Sequence, residues 1–364
     1  MLAHGRSVPA SAVGIVAALV LPCLTLLSSC GGSGVTETTS PVDNPKAQSP
    51  GYAAATIGFL NGDVQSIAFA VNAAGQVVGQ SANGTGGARA FYWDGTLHSL
   101  NAPGTFGGAY AISNGSPVYA GGYQEAGGVR HAVLWTPASS TTATVLEASD
   151  SFVRGLNDAG TAVGRYVDAN AAVHGAIWRA GASRIDIPPL AGHLHTSAED
   201  INNDGIVIGV AFGAQSATDK AWVRLADGEL LELAGLPGAT GTNALALSDV
   251  VNGRFYIVGS STSAEGVRRG VRWTFQLATK AITPEPLGDM YVATGVTNVG
   301  HVSGISAPGG SSQPALLWRD GVSLTLSAGA IAGGRGVAGA TGRIYVVGDV
   351  FAGAFPVAVR WTVE

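Results

Sequence analysis

The stretch VNAAGQVVG at residues 71–79 decides the architecture of this chain, because close copies return as LNDAGTAVG at 156–164, INNDGIVIG at 201–209 and VTNVGHVSG at 296–304. Asn72 followed by Gly75 predicts a tight hairpin turn, since Asn can bond its local backbone and Gly accepts positive φ. The flanking apolar residues lack a helical period and predict two strands. The closing glycines, Gly79, Gly164, Gly209 and Gly304, are expected where neighbouring units crowd.

A second motif, a short apolar strand bearing Trp, marks every copy of the unit. Its instances are RAFYW (89–93), HAVLW (131–135), HGAIW (174–178), KAWVR (220–224), GVRW (270–273), PALLW (314–318) and AVRW (358–361). They recur about every 45 residues, and a Gly turn with a short Leu-bearing stretch follows most of them, which makes four strands per unit. Seven such units predict an all-β chain folded as a seven-bladed β-propeller of four-stranded blades.

The two ends of the repeat region complement each other. The last copy stops at RWTVE (360–364) and lacks a fourth strand, whereas AAATIGFLNG (53–62), before the first copy, matches the fourth-strand stretches. We expect residues 54–60 to pair with the strand around 357–361. This N-terminal strand would close the ring and remove the exposed blade edges.

The repeat resembles that of the HAF-repeat extracellular proteins, whose pattern combines Leu-Gly-Gly, Ile-Asn-x-x-Gly-x-Val-Val-Gly and His-Ala-Phe-x-Trp. The resemblance is carried by AFAVNAAGQVVG with ARAFYWDG, and by AEDINNDGIVIG, although no copy contains His-Ala-Phe itself. It covers nearly all of residues 52–364. Because that family is defined by its repeat, the resemblance implies no catalytic residue and no cofactor.

The first 30 residues have the pattern of an export signal. His4 and Arg6 precede an apolar run at 12–27, which is shorter than the ~20 residues of a spanning helix. The tetrapeptide Leu27-Ser28-Ser29-Cys30 resembles the lipobox of bacterial lipoproteins, which implies cleavage before Cys30 and acylation of its thiol. With Gly31 next, that resemblance favours the outer membrane of a Gram-negative host. The alternative is an ordinary signal peptide with a coincidental Cys.

These features divide the chain into a signal peptide at 1–29, an acylated flexible tether at 30–51 and the propeller at 52–364. The tether is rich in Gly, Ser, Thr and Pro and has almost no apolar residue. Its acyl chains would hold the protein on the cell envelope. The net charge of −5 provides no basic field for nucleic acid. We expect a monomer without a cofactor.

Candidate site residues fall into two groups. The first, in GHLHTSAED at 192–200, comprises His193, His195, Glu199 and Asp200. His-x-His in an extended segment points both rings the same way, which suits a metal with a nearby carboxylate. Solvated loop histidines are commoner, and we expect no metal. The second group, His131 and His174, opens two Trp strands, as solvated strand starts or as part of a ligand-binding ring.

Loop lengths predict which face of the propeller binds a ligand. In a four-stranded blade, the turns joining the first to second and third to fourth strands share one face, and here they are mostly short. The opposite face has longer and more variable loops, where binding concentrates on rigid frames. We therefore expect ligand contacts on the long-loop face, with His193, His195, Glu125 and Arg269 as polar participants.

The usual catalytic signatures are absent from the sequence: no Gly-x-Ser-x-Gly, no Walker-type loop, no His-Glu-x-x-His and no Cys pair. We interpret the protein as a membrane-anchored, non-enzymatic module that binds glycan or protein. The alternative is an exported hydrolase or lyase whose site is assembled from several blades. Carboxylates and His clustered at the channel mouth would favour the enzyme, and Gly/Ala-lined walls the binding module.

Overall fold

A computed structural model describes residues 51–100, 105–137, 140–213, 218–307, 313–326, 332–351 and 353–364. The predicted signal peptide and nearly all of the tether lie outside the described residues, so their cleavage and acylation stay predictions. Within the described ranges, 28 strands form seven four-stranded antiparallel sheets. No helix in these ranges is long and apolar enough to span a membrane.

Each sheet is one blade, and the blades follow one another in chain order. Strand β1 (Tyr52–Gly58) precedes blade 1. Blade 1 contains β2 (Gln65–Val71), β3 (Val77–Ala82), β4 (Ala88–Trp93) and β5 (Leu97–Ser99). Blade 2 contains β6 (Phe106–Ile112), β7 (Ala120–Ala126), β8 (Val129–Thr136) and β9 (Ser140–Val145). Blade 3 contains β10 (Ser151–Leu156), β11 (Ala162–Val167), β12 (Val173–Trp178) and β13 (Ile185–Ile187).

The remaining blades repeat this order. Blade 4 contains β14 (His195–Ile201), β15 (Val207–Phe212), β16 (Lys220–Arg224) and β17 (Leu230–Glu232). Blade 5 contains β18 (Ala239–Leu247), β19 (Arg254–Ser263), β20 (Arg268–Gln276) and β21 (Ala281–Pro286). Blade 6 contains β22 (Met290–Val296), β23 (Val302–Ser306), β24 (Ala315–Arg319) and β25 (Val322–Thr325). Blade 7 contains β26 (Ala332–Ala340), β27 (Arg343–Phe351) and β28 (Pro356–Val363), with β1 as its fourth strand.

The N-terminal strand completes the last blade. Strand β1 pairs antiparallel with β28, with Tyr52 opposite Val363 and Ala54 opposite Trp361. Blade 7 also bonds to blade 1, because the backbone N–H of Ala358 donates to Ser66 Oγ over 2.9 Å. The predicted all-β, seven-bladed ring closed by an N-terminal strand is confirmed.

The Trp strands are the third strands of the blades, as predicted. The side chains of Trp135, Trp222, Trp273 and Trp361 are almost completely buried between sheets. In blade 4 the Trp stands two residues earlier than in the other copies, and Arg224 takes its place opposite Val207, as Trp93 stands opposite Val77. Packing between blades, with no helix in the described ranges, supplies the apolar core.

The Asn-x-x-Gly segments are hairpin turns, and they also join neighbouring blades. Asn72 Oδ1 accepts from the backbone N–H groups of Ala74 and Gln76 at 3.1 and 3.0 Å, and Gly75 has φ of 77°. Asn72 Nδ2 donates to the carbonyl of Ser113 in blade 2 over 3.0 Å. One amide side chain therefore closes its own turn and attaches the next blade.

The second residue of each first turn, which follows Asn in blades 3 and 4 and Ser or Thr in blades 2, 5 and 6, extends this connection through blades 2 to 6. Backbone N–H groups donate from Asn114 to Asp158, from Asp158 to Asn203, from Asn203 to Asp249 and from Asp249 to Asn298, over 2.6 to 2.9 Å. Amides alternate with carboxylates, so Asn203 Nδ2 also donates to Asp158 Oδ2 over 2.9 Å. We call these five residues the turn belt. It ties the blades together on the short-turn face.

Each first strand contains a β-bulge at an equivalent position. In blade 1, Ala68 pairs with Gly79 and the next pair is Ala70 with Val78, which leaves Phe69 unpaired. A Cβ on Gly79 would overlap the carbonyl oxygen of Ile67. The same overlap would occur at the equivalent glycines, Gly122, Gly164, Gly209, Gly259, Gly304 and Gly348.

These glycines correct one expectation from the sequence. We expected crowding by a neighbouring blade, but the overlapping carbonyl belongs to the first strand of the same blade. The bulge turns that carbonyl towards the second strand, and only a residue without Cβ leaves room for it. The closing Gly of the repeat is therefore required for the bulge.

Candidate functional site

The bulged residues of the seven first strands form a ring around the central channel. They are Phe69, Tyr110, Arg154, Glu199, Leu245, Thr294 and Arg335. All seven line a single cavity of about 900 Å³. The bulge aims these side chains at the channel, because a bulge re-orients the side chain of its extra residue.

Five members of the ring form a continuous row of aromatic and charged side chains, which we call the channel row. The ring centroids of Phe69 and Tyr110 are 4.7 Å apart. The Arg335 guanidinium lies 5.7 Å from the Phe69 centroid, and that of Arg154 lies 5.6 Å from the Tyr110 centroid. Arg154 Nε donates to Glu199 Oε2 over 2.9 Å. Cation–aromatic contacts and one ion pair thus order the row.

The surroundings of the channel row fix its protonation states. The charge of Glu199 is the largest cause that raises the pKa of Arg154. Burial, followed by the neighbouring Tyr123, raises the pKa of Tyr110 to about 12. Arg335 Nε donates to Asp349 Oδ1 over 2.7 Å. At physiological pH the row therefore presents Arg154 as a cation and Tyr110 as a neutral phenol.

Asp200, next to the ring, is the channel residue with the most perturbed acidity. The equivalent positions of the other six blades hold Ala70, Ala111, Gly155, Ala246, Gly295 and Gly336. The Asp200 carboxyl accepts from the backbone N–H groups of Ile201 and Leu247 at 2.9 and 3.1 Å. Burial, reinforced by Asp249 and Glu199, nevertheless raises its pKa to about 7. It can exchange a proton near neutral pH.

The opposite side of the channel is lined mostly by small or apolar residues. Blades 5 and 6 contribute Leu245, Ala246, Thr294 and Gly295 to its lining, and blade 7 places Gly336 and Val337 beside Arg335 of the channel row. The channel therefore combines both features that the sequence analysis named as diagnostic. It has a carboxylate-bearing wall, with Glu199 and Asp200, and a wall of small or apolar residues.

The cavity reaches the short-turn face of the propeller. Its lining includes all five residues of the turn belt, which stand at the ends of the first strands. The carboxylates of Asp158 and Asp249 thus lie at the mouth of the channel. Loop lengths in the sequence predict ligand contacts on the opposite face, where the loops are long.

The two predicted loop histidines lie away from this cavity. His193 Nε2 is 3.2 Å from the carbonyl oxygen of Thr218. His195 begins β14, where its Nδ1 accepts from the backbone N–H of Val173 over 3.2 Å and its ring packs on Phe212 at 5.4 Å. Neither lines the channel cavity, and their ligand-binding role stays a prediction.

The other two predicted participants are also outside the cavity lining. Glu125 lies on β7 opposite Arg130, and Arg269 lies exposed on β20 opposite Ser261. These residues belong to blades 2 and 5, and nothing in the cavity lining joins them to the histidines of blade 4. Their role likewise stays a prediction.

The GHLHTSAED stretch is divided between two places. His195 begins β14 at the long-loop end, whereas Glu199 and Asp200 lie near its other end, in the channel. Among the described residues, no group of three or more His, Cys, Asp or Glu is arranged to hold a metal ion. Of the second histidine group, His174 Nε2 is 3.0 Å from Asp168 Oδ2 and its ring stacks on Tyr166.

Sequence reasoning named Glu199 and Asp200, but for a different site, and missed the rest of the channel row. The available signal is positional. The third residue before the first turn residue is aromatic or charged in four copies, as Phe69, Tyr110, Arg154 and Glu199, while most of its neighbours are Ala, Gly or β-branched. Arg335 holds the equivalent position in blade 7, where the first strand continues to Ala340 before the turn. The role of that position can be recognised only when the bulge is known.

Comparison with solved structures finds similar folds at low sequence identity. A puromycin-hydrolyzing peptidase from Mycobacterium tuberculosis superposes with a TM-score of 0.53 at 10% identity, over 81% of this chain and 50% of the peptidase. The β-propeller domain of the Trilobed protease from Pyrococcus furiosus gives 0.47 at 8% identity, over 70% and 81% of the two chains. A Trypanosoma rangeli sialidase gives 0.45 at 11% identity, over 86% and 60%.

Among these three, the peptidase alone has a TM-score above 0.5, and at 10% identity that similarity shows the fold and nothing finer, since one fold hosts many unrelated functions. This chain spans about half the length of the puromycin-hydrolyzing peptidase that it matches. No protein-family model and no curated protein matches the sequence. Function has to be argued from the channel itself.

Proposed function

We propose that this protein binds a saccharide in its central channel as a non-enzymatic binding module. The observation that carries the proposal is the channel row, which runs from Arg335 through Phe69, Tyr110 and Arg154 to Glu199. Aromatic rings stack on the C–H faces of sugars, and guanidinium and carboxylate groups hydrogen-bond sugar hydroxyls. The cavity of about 900 Å³ is within the range of ligand pockets, which combine aromatic walls with a few placed polar groups.

The channel is favoured over the long-loop face because its side chains are held rigidly. The row stands on β-bulges within paired strands, and its polar atoms are fixed by ion pairs such as Arg154 with Glu199 and Arg335 with Asp349. Sites built on strands hold their geometry better than sites on loops. A preorganised wall also lowers the entropy lost on binding.

The test is binding of a panel of oligosaccharides to the purified protein by isothermal titration calorimetry. Tyr110→Ala should abolish binding, because it removes the centre of the aromatic wall. Phe351→Ala removes an exposed aromatic side chain outside the cavity lining and should bind normally. The double variant His193→Ala/His195→Ala probes the long-loop face. Loss of binding in the double variant alone would contradict the channel site.

An exported hydrolase or lyase is the second candidate, and Asp200 is the observation in its favour. A carboxyl group with a pKa of about 7 beside a second carboxylate, Glu199, can act as a general acid at neutral pH. Prolonged incubation with each bound oligosaccharide and assay of new reducing or unsaturated ends distinguishes the two candidates. The binding module predicts no turnover. Turnover that Asp200→Asn abolishes while binding persists would establish the enzyme.

We also propose that the propeller is tethered to the outer membrane through acylated Cys30. The proposal rests on the lipobox-like sequence at 27–30 and the Gly-, Ser- and Pro-rich segment that follows it. Cys30→Ser should leave the protein unacylated, so that it no longer partitions with membranes. Mass spectrometry of the wild-type N-terminus tests this directly. An unmodified N-terminus downstream of residue 31 would contradict the tether.

A further inference from the structure

Three carboxylates line the channel cavity without a basic partner. They are Asp158 in blade 3, Asp200 in blade 4 and Asp249 in blade 5, and we call them the acidic strip. None of the three forms an ion pair with Lys, Arg or His among the residues that the structure describes. Because blades 3, 4 and 5 are consecutive in the ring, the three side chains share one side of the channel.

The acidic strip extends from the interior of the cavity to its mouth. Asp200 directly follows Glu199, the bulged residue of its first strand, and lies inside the channel. Asp158 and Asp249 belong to the turn belt at the ends of the first strands. Asn203 Nδ2 donates to Oδ2 of both, over 2.9 and 3.3 Å, so the two carboxylates share one NH₂ group. A ligand that enters through the mouth therefore meets carboxylates along its path.

The cations of the cavity lining do not balance the acidic strip. Arg154 Nε donates to Glu199 over 2.9 Å. Arg335 Nε donates to Asp349 over 2.7 Å. Each guanidinium is thus already matched by a carboxylate, and the described lining contains no Lys, no His and no further Arg. The formal charge that remains in the cavity is that of the acidic strip, and it is negative.

The negative field of the cavity acts on Asp200. Burial is the largest cause that raises its pKa to about 7, and the charges of Asp249 and Glu199 contribute to the rise. Neighbouring carboxylates disfavour a further negative charge and favour a positive one. A cation in the cavity would therefore be stabilised by several carboxylates at once.

A hydroxyl group without a partner lies in the same lining. The Tyr110 side chain is mostly buried in the channel row, and its hydroxyl makes no hydrogen bond to any residue that the structure describes. Because its pKa is raised to about 12, the phenol is neutral and can both donate and accept. A ligand hydroxyl would offset the cost of leaving this group unpaired. The cavity thus suits a ligand with hydroxyl groups and positive charge.

We propose that the channel binds a saccharide with free amino groups, such as an oligomer of glucosamine. This inference rests on the proposed function and names the ligand class as a basic glycan. The ammonium groups bind the acidic strip through charge-assisted hydrogen bonds. The sugar rings stack on Phe69 and Tyr110. An N-acetylated sugar of the same backbone lacks the charge and loses these bonds.

The experiment compares one saccharide backbone with and without positive charge. The probes are glucosamine oligomers, the same oligomers after complete N-acetylation, and cello-oligosaccharides of equal length, which have a hydroxyl group in place of each amine. Oligogalacturonate provides an acidic probe. Binding to the wild-type protein is measured by isothermal titration calorimetry at a slightly acidic pH, at which the amines of the probe are charged.

The inference predicts that glucosamine oligomers bind about ten- to a hundredfold more tightly than both neutral forms. Added salt should reduce this preference by screening the charges. Asp158→Asn and Asp249→Asn should each reduce it severalfold, whereas Asp227→Asn should preserve it. Asp227 is exposed in the turn between β16 and β17, outside the cavity lining, so this control makes the same change in net charge.

The two belt variants are expected to fold, because Asn already stands at the equivalent turn positions of the other belt blades. These residues are Asn114, Asn203 and Asn298. Thermal denaturation of the unliganded variants checks the expectation. The comparison of charged with neutral probes uses the wild-type protein alone, so it decides the inference even where a variant is unstable.

Four results would overturn parts of the account, and they can be told apart. Equal binding of the amino and N-acetylated oligomers refutes the basic glycan while the saccharide channel stands. Binding of oligogalacturonate, but of no amino sugar, does the same. A preference for the amine that survives in folded Asp158→Asn and Asp249→Asn refutes the acidic strip as its site. Failure of every probe to bind, charged or neutral, refutes the proposed function and the inference together.

Discussion

Asn157 in blade 3 donates a hydrogen bond from Nδ2 to the backbone carbonyl of Asn202 in blade 4, over 3.2 Å. Its Oδ1 accepts from the backbone N–H groups of Ala159 and Thr161 in its own turn, at 3.2 and 3.0 Å. One side chain therefore closes a hairpin with its oxygen and attaches the next blade with its nitrogen. An amide performs both tasks, whereas a carboxylate or a hydroxyl performs only part of them.

Replacing Asn157 by Asp separates these two tasks. The carboxylate retains the acceptor for the turn but loses the donor to the Asn202 carbonyl, and it places a second acceptor against that oxygen, which keeps its bond from the Gly205 N–H. We expect a loss of about 1–3 kcal/mol in the free energy of unfolding, measured by urea denaturation. Asn170→Asp, the same change at an exposed turn residue, is the control. Equal stability of the two variants would remove the blade-joining role.

Replacing Gly79 by Ala tests the requirement for glycine opposite the bulge. The new Cβ would overlap the carbonyl oxygen of Ile67 and the ring of Phe91, both of which are fixed by packing. We expect a loss of roughly 3 kcal/mol, or loss of soluble protein. Gly241→Ala on β18 is the control, since its Cβ would meet its nearest atom at 3.6 Å. Comparable denaturation curves for the two variants would show that the bulge tolerates Cβ.

Removal of β1 tests the closure of the ring. Deleting residues 52–58 exposes the edge of β28 and removes the fourth strand of blade 7, so the melting temperature should fall by many degrees. Deleting residues 31–50, which precede β1, should hardly change it. Scanning calorimetry of both deletions provides the comparison. Similar melting temperatures would show that the β1–β28 pairing contributes little.

The blade count and the ring closure could be predicted because each leaves a local, repeated mark in the sequence. The Trp of the third strand and the Asn-x-x-Gly turn recur at a steady spacing, and the first strand supplies what the last copy lacks. Even the displaced Trp222 did not hide blade 4, because Arg224 keeps the spacing.

The site could not be predicted in the same way, because it depends on relationships between blades. Phe69 and Tyr110 are ordinary strand residues until a bulge in each strand turns them towards one channel. Loop length predicts the long-loop face, whereas the cavity reaches the short-turn face.

Asp200 gives the protein a distinctive dependence of stability on pH. Burial raises its pKa in the folded protein to about 7, from the 3.8 of an ordinary aspartate. The folded state therefore binds a proton more tightly than the unfolded state. This contribution to stability is fully present below pH 4, falls as the pH rises, and is lost above about pH 7.

The pH dependence is tested with Asp200→Asn, which cannot titrate. Relative to this variant, the wild type should lose up to ~4 kcal/mol of stability between pH 4 and pH 7.5. Thermal denaturation of both proteins across that range measures the difference, in which groups common to both cancel. Parallel pH profiles would mean that Asp200 titrates normally in the folded protein.

The most direct test of the saccharide channel is the crystal structure of the protein with its tightest-binding oligosaccharide. The account predicts electron density for sugar rings inside the cavity of about 900 Å³, stacked on Phe69 and Tyr110, with oxygen atoms within hydrogen-bond distance of Arg154 or Glu199. Density confined to the long-loop face around His193 and His195, with the channel filled only by water, would contradict it.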